Sequence, residues 1–434
     1  MYQGGHKPLK MIKIYYYPED SVEKVLKKSN FDFPNIEKTV REILDDIKKR
    51  RDKALFEYTQ KFDGLSLNQK TIKVTKEEIQ AAYEKVQPEQ LNAIKRAAEN
   101  VYDYHVRYRE KPVFGEDNGR QTGFLIRPLE TVGIYVPGGT AAYPSSVLMC
   151  ALPAKAVGVN RIIMCSPKIE NPLTLVAAEE CGVDEIYRVG GAQAIGAMAY
   201  GTDSIPKVDI IAGPGNIYVT MAKKLVFGEV KIDMIAGPSE ILVIADRFSH
   251  PETVAADLLS QAEHDKLSRS ILITDNALLA KQVKKEITKQ TAALDRKDIV
   301  KASLTEGGAI IVTENIMEAV ELSNQIAPEH LILMVRDYKK YLGYITNAGA
   351  VFAGYHSPES LGDYYAGPSH VLPTSGAAKY FEVLNTNTFT KKISFINYSK
   401  QELEKAAEDI ITLADAEGLK AHANAVKVRL GEEK

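Results

Sequence analysis

The sequence predicts an α/β protein of two units, each an incomplete Rossmann-like, mostly parallel sheet, with small N- and C-terminal helical segments. Three observations carry this. From residue 131 to 246, short apolar, β-rich runs alternate with four helical segments. After a helix over 254–265 the same alternation resumes and continues to about residue 355. Several strands end in glycine-rich turns, where open α/β sheets bind their ligands.

The 434 residues are 45% hydrophobic and 26% charged, ordinary for a soluble protein with more than one core. The formal net charge is -2, Trp is absent and the basic residues are scattered, which argues against a nucleic-acid or anionic-membrane partner. No apolar run has the length of a membrane span, and the N-terminus shows no apolar signal core. Cys150, Cys165 and Cys181 sit in apolar surroundings without CxxC spacing. That predicts reduced, buried thiols in a cytoplasmic protein, with Cys150 inert inside a buried helix.

Residues 1–35 form an N-terminal arm whose first ten residues are polar and patternless. A single amphipathic helix is expected over 36–62, stopped by Asp63-Gly64. Thr75 and Glu78 have capping-box spacing for a second helix, and helical patterning continues past Pro88 to Tyr108. His105 is expected there on the surface or in packing. The runs TVGIYVPGG, RIIMCSP, EIYRVGG, KVDIIAGPGN and KIDMIAGPSEILVIAD read as strands, with helices starting near Ser145, Pro172, Ala192 and Ile217. Glycine turns fall at 137–139, 190–191 and 213–216. None is a GxGxxG, yet glycine turns entering helix N-termini present backbone N–H groups to a phosphate. Plain loop chemistry explains them equally well.

In the second unit SILITD, GAIIVTE, HLILMV and GAVFAGY read as strands, with helices over 277–294, 315–325 and 337–347. After Phe381 come a short strand in NTNTFTKKISFINYS, a helix over 400–413 and a last helix in AEGLKAHANAVKVRL. That tail is too small to hold a core and must pack on something else. The resulting division groups 36–130 with 241–381, sets 131–240 apart as a second α/β domain, and leaves 382–434 as a C-terminal segment.

Four of the eight histidines sit beside polar partners. Gln261 and His264 are three residues apart, on one face at the end of the 254–265 helix. Glu329 and His330 stand directly before a strand. Asp363 and His370 share a Gly/Pro-rich loop, and Glu417 and His422 share the tail. Imidazole with a carboxylate or carboxamide supplies metal ligands and general acid/base groups. Taken singly, each pair reads more simply as a helix cap or a satisfied loop histidine, and periodicity does not bring the four together.

The motifs IDMIAGPSE (232–240) and DLLSQAEHD (257–265) resemble the signature of the histidinol dehydrogenase family. So do GIYVPGG, VGGAQAIGAMAYGT, GPGNIYVTMAKK, APEHL and LGDYYAGPSHVLPTSG, in the family's order and over about residues 124–422. The resemblance implies an enzyme oxidising L-histidinol through histidinaldehyde to L-histidine with two NAD+ and one Zn2+ per subunit. It implies Gln261, His264, Asp363 and His422 as metal ligands and Glu329 and His330 as the acid/base pair. With Ser239, His370 and Glu417, the four ligands and His330 would contact substrate. Tyr135, Gln193 and Asn216 would hold NAD. It also implies an intertwined homodimer in which the tail completes the partner's site, so that Glu417 and His422 act in trans. Two rivals are a zinc hydrolase using Glu329 to activate water and a non-catalytic nucleotide-binding α/β protein. Chelation separates them, since only the dehydrogenase loses NADH production with the metal while keeping its fold.

Overall fold

The central β-rich runs close into sheets because their residues are buried on both faces, the condition for parallel strands covered by crossover helices. The computed structural model describes residues 11–27, 34–138, 143–167, 169 and 171–431. The leader 1–10 and Gly139 of the first glycine turn lie outside the described residues. In chain order the strands are β1 (Lys13–Tyr16), β2 (Val113–Asp117), β3 (Arg120–Pro128), β4 (Thr131–Tyr135), β5 (Arg161–Cys165), β6 (Glu185–Tyr187), β7 (Ile210–Ala212), β8 (Lys231–Ile232), β9 (Glu240–Ala245), β10 (Arg269–Thr274), β11 (Gly308–Val312), β12 (His330–Met334), β13 (Ala350–Ala353) and β14 (Thr390–Tyr398).

The chain divides into two compact units, Met1–Tyr108 with Glu130–Phe389, and Arg109–Leu129 with Thr390–Lys434. The first holds two all-parallel sheets, ordered β6-β5-β4-β7-β8 and β1-β11-β10-β9-β12-β13. Counted from β4 and from β9, both follow the order 3-2-1-4-5, a Rossmann sheet lacking its sixth strand. The arm adds β1 outside β11. The run KIDMIAGPSEILVIAD, expected as one β segment, serves both sheets. Its first part is the edge strand β8, its last part is the fully buried β9, and AGPS lies between them.

The helix expected over 36–62 is two, Pro34–Arg50 and Asp52–Asp63. The break falls at Arg51, which takes φ +53 while its guanidinium donates to the carbonyls of Tyr200 (2.8 Å) and Gly201. Buried Val40, Ile43, Leu44, Ile47 and Leu55 share a core with Ile195 and Met198 over the five-stranded sheet. The sequence grouping of 36–130 with 241–381 therefore differs from the packing of these two helices. The Thr75–Glu78 capping box is formed in both directions, at 3.3 and 2.9 Å, and starts the Lys76–Tyr83 helix. His105, in the Pro88–Tyr108 helix, is buried. All three cysteines are buried and free.

In the six-stranded half the expected helix over 337–347 is only two short 3-10 turns, Tyr338–Lys340 and Leu342–Tyr344. An unforeseen helix, Lys297–Glu306, buries Val300 and Leu304 against the sheet. The second unit is built on an antiparallel sheet, β14-β3-β2. The hairpin β2–β3 turns on Asn118-Gly119, both at positive φ, the chemistry that two-residue hairpin loops require. β14 pairs with β3 along all nine of its residues, and the helices Lys400–Ala416 and Lys420–Lys427 follow. No helix among the described residues is long and apolar enough to cross a membrane.

Candidate active site

The candidate site residues gather at the amino ends of β9 and β12, neighbours at the point where the strand order of the six-stranded sheet reverses. The parallel register pairs His330 with Ile241, so the two strands begin side by side. Ala327, at φ +53, closes the Ile316–Ile326 helix and turns the chain through Pro328 into Glu329 and His330. Gly349 lets β13 approach this corner, since a Cβ there would stand 2.6 Å from the Glu329 carbonyl oxygen.

The peptide group of Glu240 organises the corner from both sides. Its N–H donates to Glu329 Oε2 at 2.8 Å, and its carbonyl oxygen lies 3.1 Å from His330 Nδ1. A carbonyl only accepts, so Nδ1 carries the proton and Nε2 keeps its lone pair. That Nε2 is buried with no hydrogen-bond partner among the described residues. It stands 3.8 Å from Glu359 Oε1 and 4.0 Å from Asp363 Oδ1. Burial pushes the His330 pKa down to about 4, so the ring is neutral at pH 7. Burial pushes Glu329 well above the usual carboxylate range, and Glu240, Glu359 and Asp363 add like-charge repulsion. The Glu240 side chain is held by Arg269 at 3.1 Å and by the Ser375 N–H at 3.1 Å. Ser239, half-buried, immediately precedes it.

Opposite this corner the Pro251–Ala262 helix ends, bringing buried Gln261 and exposed His264 to it. The short Glu359–Tyr364 helix places Glu359 and Asp363 four residues apart on one face. Donor atoms of His264, Glu359 and Asp363 lie within 4.8 Å of one another, a spread that one ion with bonds of about 2.1 Å draws together. The Gln261 carboxamide, turned to satisfy both neighbours, donates to Glu359 Oε1 at 2.5 Å and accepts from Glu240 N–H at 3.1 Å. Burial raises Glu359 to about 8, Asp363 to about 6 and the neighbouring Asp257 to about 7. So many desolvated acids around one unpartnered imidazole suit a cationic occupant, and the mixed N/O donor set fits a divalent metal. His370 is fixed by Nδ1 against the Asp363 carbonyl at 3.1 Å, which leaves Nε2 to accept from Ser146 Oγ at 3.4 Å.

Of the sequence-predicted residues, Gln261, His264, Glu329, His330, Asp363 and His370 come together. Glu417 and His422 are exposed in the second unit, at the end of the Lys400–Ala416 helix and in the first turn of the Lys420–Lys427 helix. Glu359 was missed, although its four-residue spacing to Asp363 in PESLGDYY was legible.

Tyr135, Gln193 and Asn216 lie at the carboxyl ends of the five-stranded sheet, around its own reversal point between β4 and β7. The glycine turns converge there. Tyr135 Oη accepts the Gly191 N–H at 3.1 Å, and Gly213, at φ +117, passes so close that a Cβ would meet the Tyr135 carbonyl oxygen at 2.2 Å. Burial raises the Tyr135 phenol to about 12. Gln193 is buried, with its amide 3.5 Å from Asp63. Asn216 caps the Ile217–Val226 helix with its amide oxygen, leaving its amide N–H groups as the donors it can offer a ligand. Beneath the turn, the buried Lys223–Asp233 ion pair grips both sides of Gly213. Lys223 donates to its carbonyl at 2.9 Å and Asp233 accepts its N–H at 2.8 Å.

A family model described as histidinol dehydrogenase matches residues 26–430. The chain belongs to the histidinol dehydrogenase family. A histidinol dehydrogenase of Caldanaerobacter subterraneus subsp. tengcongensis is 54% identical over 409 residues, 94% of this chain and 95% of its own. One of Heliobacterium mobile is 50% identical, covering 97% of this chain and all of its own. The crystal structure of the Elizabethkingia anophelis histidinol dehydrogenase superposes with a TM-score of 0.93 at 40% identity, over 97% of this chain and 98% of that one. The histidinol dehydrogenase motifs 232–240 and 257–265 are the segments that deliver Glu240, Gln261 and His264 to the corner described above.

Proposed function

We propose that this chain oxidises L-histidinol to L-histidine in two NAD+-dependent steps at a zinc site, the last reaction of histidine biosynthesis. The observation that carries this reading is the buried His330 Nε2, unprotonated and unpartnered, aimed into a pocket of metal-type donors. Gln261, His264 and Asp363 would hold the ion, with His422 as the fourth ligand. When bound, zinc anchors the nitrogen donors of the substrate, and NAD+ accepts the hydride. His330 Nε2 takes the hydroxyl proton as the first hydride leaves, a task for a neutral imidazole. Glu329 takes a proton from the water that hydrates the aldehyde, because burial makes its carboxylate a stronger base than a solvated one. Ser239, His370 and Glu417 would line the substrate. Tyr135, Gln193 and Asn216 would hold NAD at the sheet's reversal point, where open α/β sheets bind nucleotides.

The same reading makes the enzyme a homodimer whose tail completes the partner's site, working in the cytoplasm, where three reduced buried thiols are at home. The metal-binding pocket disfavours a purely nucleotide-binding protein, and the converging glycine turns disfavour a plain hydrolase. Incubating the zinc-loaded chain with L-histidinol and NAD+ and identifying the product by mass spectrometry tests the proposal. L-histidine is expected. Its absence from a folded, zinc-loaded sample would overturn the reading.

A further inference from the structure

We infer that Glu359 is a positioning residue for Gln261, gripping the carboxamide nitrogen so that the amide oxygen is the atom presented to the metal. This rests on the metal site proposed above. A primary amide has two faces of similar shape, one an acceptor oxygen and the other a double donor, and only its neighbours decide which points where. Gln261 is buried, and its two neighbours set the orientation. Ser260 Oγ donates to the Asp257 carbonyl at 2.8 Å and so can accept a hydrogen bond from the proton that a neutral Glu359 carries on Oε2. This leaves Oε1, at 2.5 Å, as an acceptor for the nitrogen, while the Glu240 N–H, shared with Glu329 Oε2 and 3.1 Å away, is a donor to the oxygen. The second lone pair of that oxygen is left for an ion. Glu359 is itself pinned, because its Oε2 shares a hydrogen bond of 2.8 Å with Ser260 Oγ, and Ser260 precedes Gln261 in the same helix. Ser260, Glu359 and Gln261 thus form a closed loop that fixes a neutral, weakly ligating carboxamide before the ion arrives. Such outer contacts matter most for weak ligands, whose orientation is otherwise lost to rotation.

Glu359 also lies close to the donor atoms of His264 and Asp363, so direct ligation is the alternative to separate. Zinc affinity of the substrate-free protein, measured by competition with a chromophoric chelator, separates the two, with circular dichroism as the check on folding. Glu359→Ala removes the acceptor and is expected to weaken zinc binding roughly 10- to 100-fold. Glu359→Gln keeps an acceptor oxygen for the Gln261 nitrogen and is expected to stay within a few-fold of the parent. Ser260→Ala frees the far end of Glu359, and a few-fold weakening is expected. It decides the matter if Glu359→Ala does not fold, since unchanged affinity in Ser260→Ala then counts against the inference. Equal losses in the Gln and Ala variants would make Glu359 a charged ligand and overturn the inference, as would full affinity in Glu359→Ala. If the parent chain itself binds no zinc, the metal reading fails, a result distinct from any difference among the variants.

Discussion

At the scale of single residues, the proposed chemistry turns on where the imidazole proton of His330 sits. The Glu240 carbonyl holds the Nδ1 proton of His330, so Nε2 is the atom open to the proposed role of base, and burial keeps it unprotonated. His330→Asn is therefore expected to slow both oxidations, by roughly 10²- to 10⁴-fold as for loss of a general base. Glu329→Gln is expected to slow mainly the aldehyde-to-acid step. Single-turnover measurements with L-histidinol and with histidinaldehyde separate the two, and equal loss of both steps in the Glu329 variant would contradict the assignment. His105 offers a test remote from this chemistry. It is buried, its Nε2 lacks a hydrogen-bond partner among the described residues, and burial lowers its pKa from 6.5 to about 4. Above pH 6.5 the ring is neutral folded and unfolded and contributes nothing to the pH dependence. Between pH 6.5 and 4 only the unfolded chain takes the proton, so stability falls as pH falls, by at most about 3 kcal/mol. His105→Leu should flatten this part of the acid limb in denaturation curves at pH 7 and pH 5. An unchanged slope would contradict it.

At the scale of elements, the turn after β7 is held by a buried ion pair rather than by its glycines alone. Lys223→Met leaves Asp233 as an uncompensated buried charge beside Gly213, and a loss of about 3–5 kcal/mol in unfolding free energy is expected. A loss below 1 kcal/mol in chemical denaturation would show that the pair contributes little. The repeating strand–turn–helix rhythm was legible because fully buried parallel strands write continuous apolar runs, and each of those runs became a strand. Other features were decided by contacts distant in the chain. Arg51 breaks a pattern that reads as one helix because carbonyls about 150 residues away take its guanidinium. The KIDMIAGPSEILVIAD run is divided between two sheets, which no local periodicity records. The β2–β3 hairpin is written plainly in Asp117-Asn118-Gly119-Arg120, but β2 is exposed along its whole length and offers no apolar stripe to mark it as a strand. At the site, motif resemblance supplied Gln261, His264, Asp363 and His330. The contact of Glu359 with Gln261 needed the fold, since the two are 98 positions apart.

At the scale of the whole molecule, two sheets of the same strand order carry the candidate site residues at opposite ends. The five-stranded sheet offers its carboxyl ends, where Tyr135 and the glycine turns converge, and the six-stranded sheet offers its amino ends. The chain makes this natural. It leaves β8 at a carboxyl end and enters β9 at an amino end after residues 233–239, a reach of roughly 25 Å at full extension. The segment is tied down along the way, by Thr220 Oγ1 to the Ala236 carbonyl at 3.2 Å and by the Gly237 N–H to Thr374 Oγ1. Completion of the site by a partner's tail is tested by mixing. If His422 acts in trans, random dimers of His330→Asn and His422→Ala chains contain one intact site in each mixed pair, restoring about a quarter of parent activity. No recovery on co-refolding would place His422 in its own chain's site. The most direct test of the central claim is the number of NADH formed per L-histidinol consumed, followed through chelation and zinc restoration. Two NADH per substrate, lost with the metal and regained with zinc, is the expected result. One NADH with free aldehyde, or none from a folded, zinc-loaded chain, would contradict a single site that carries its substrate through both oxidations.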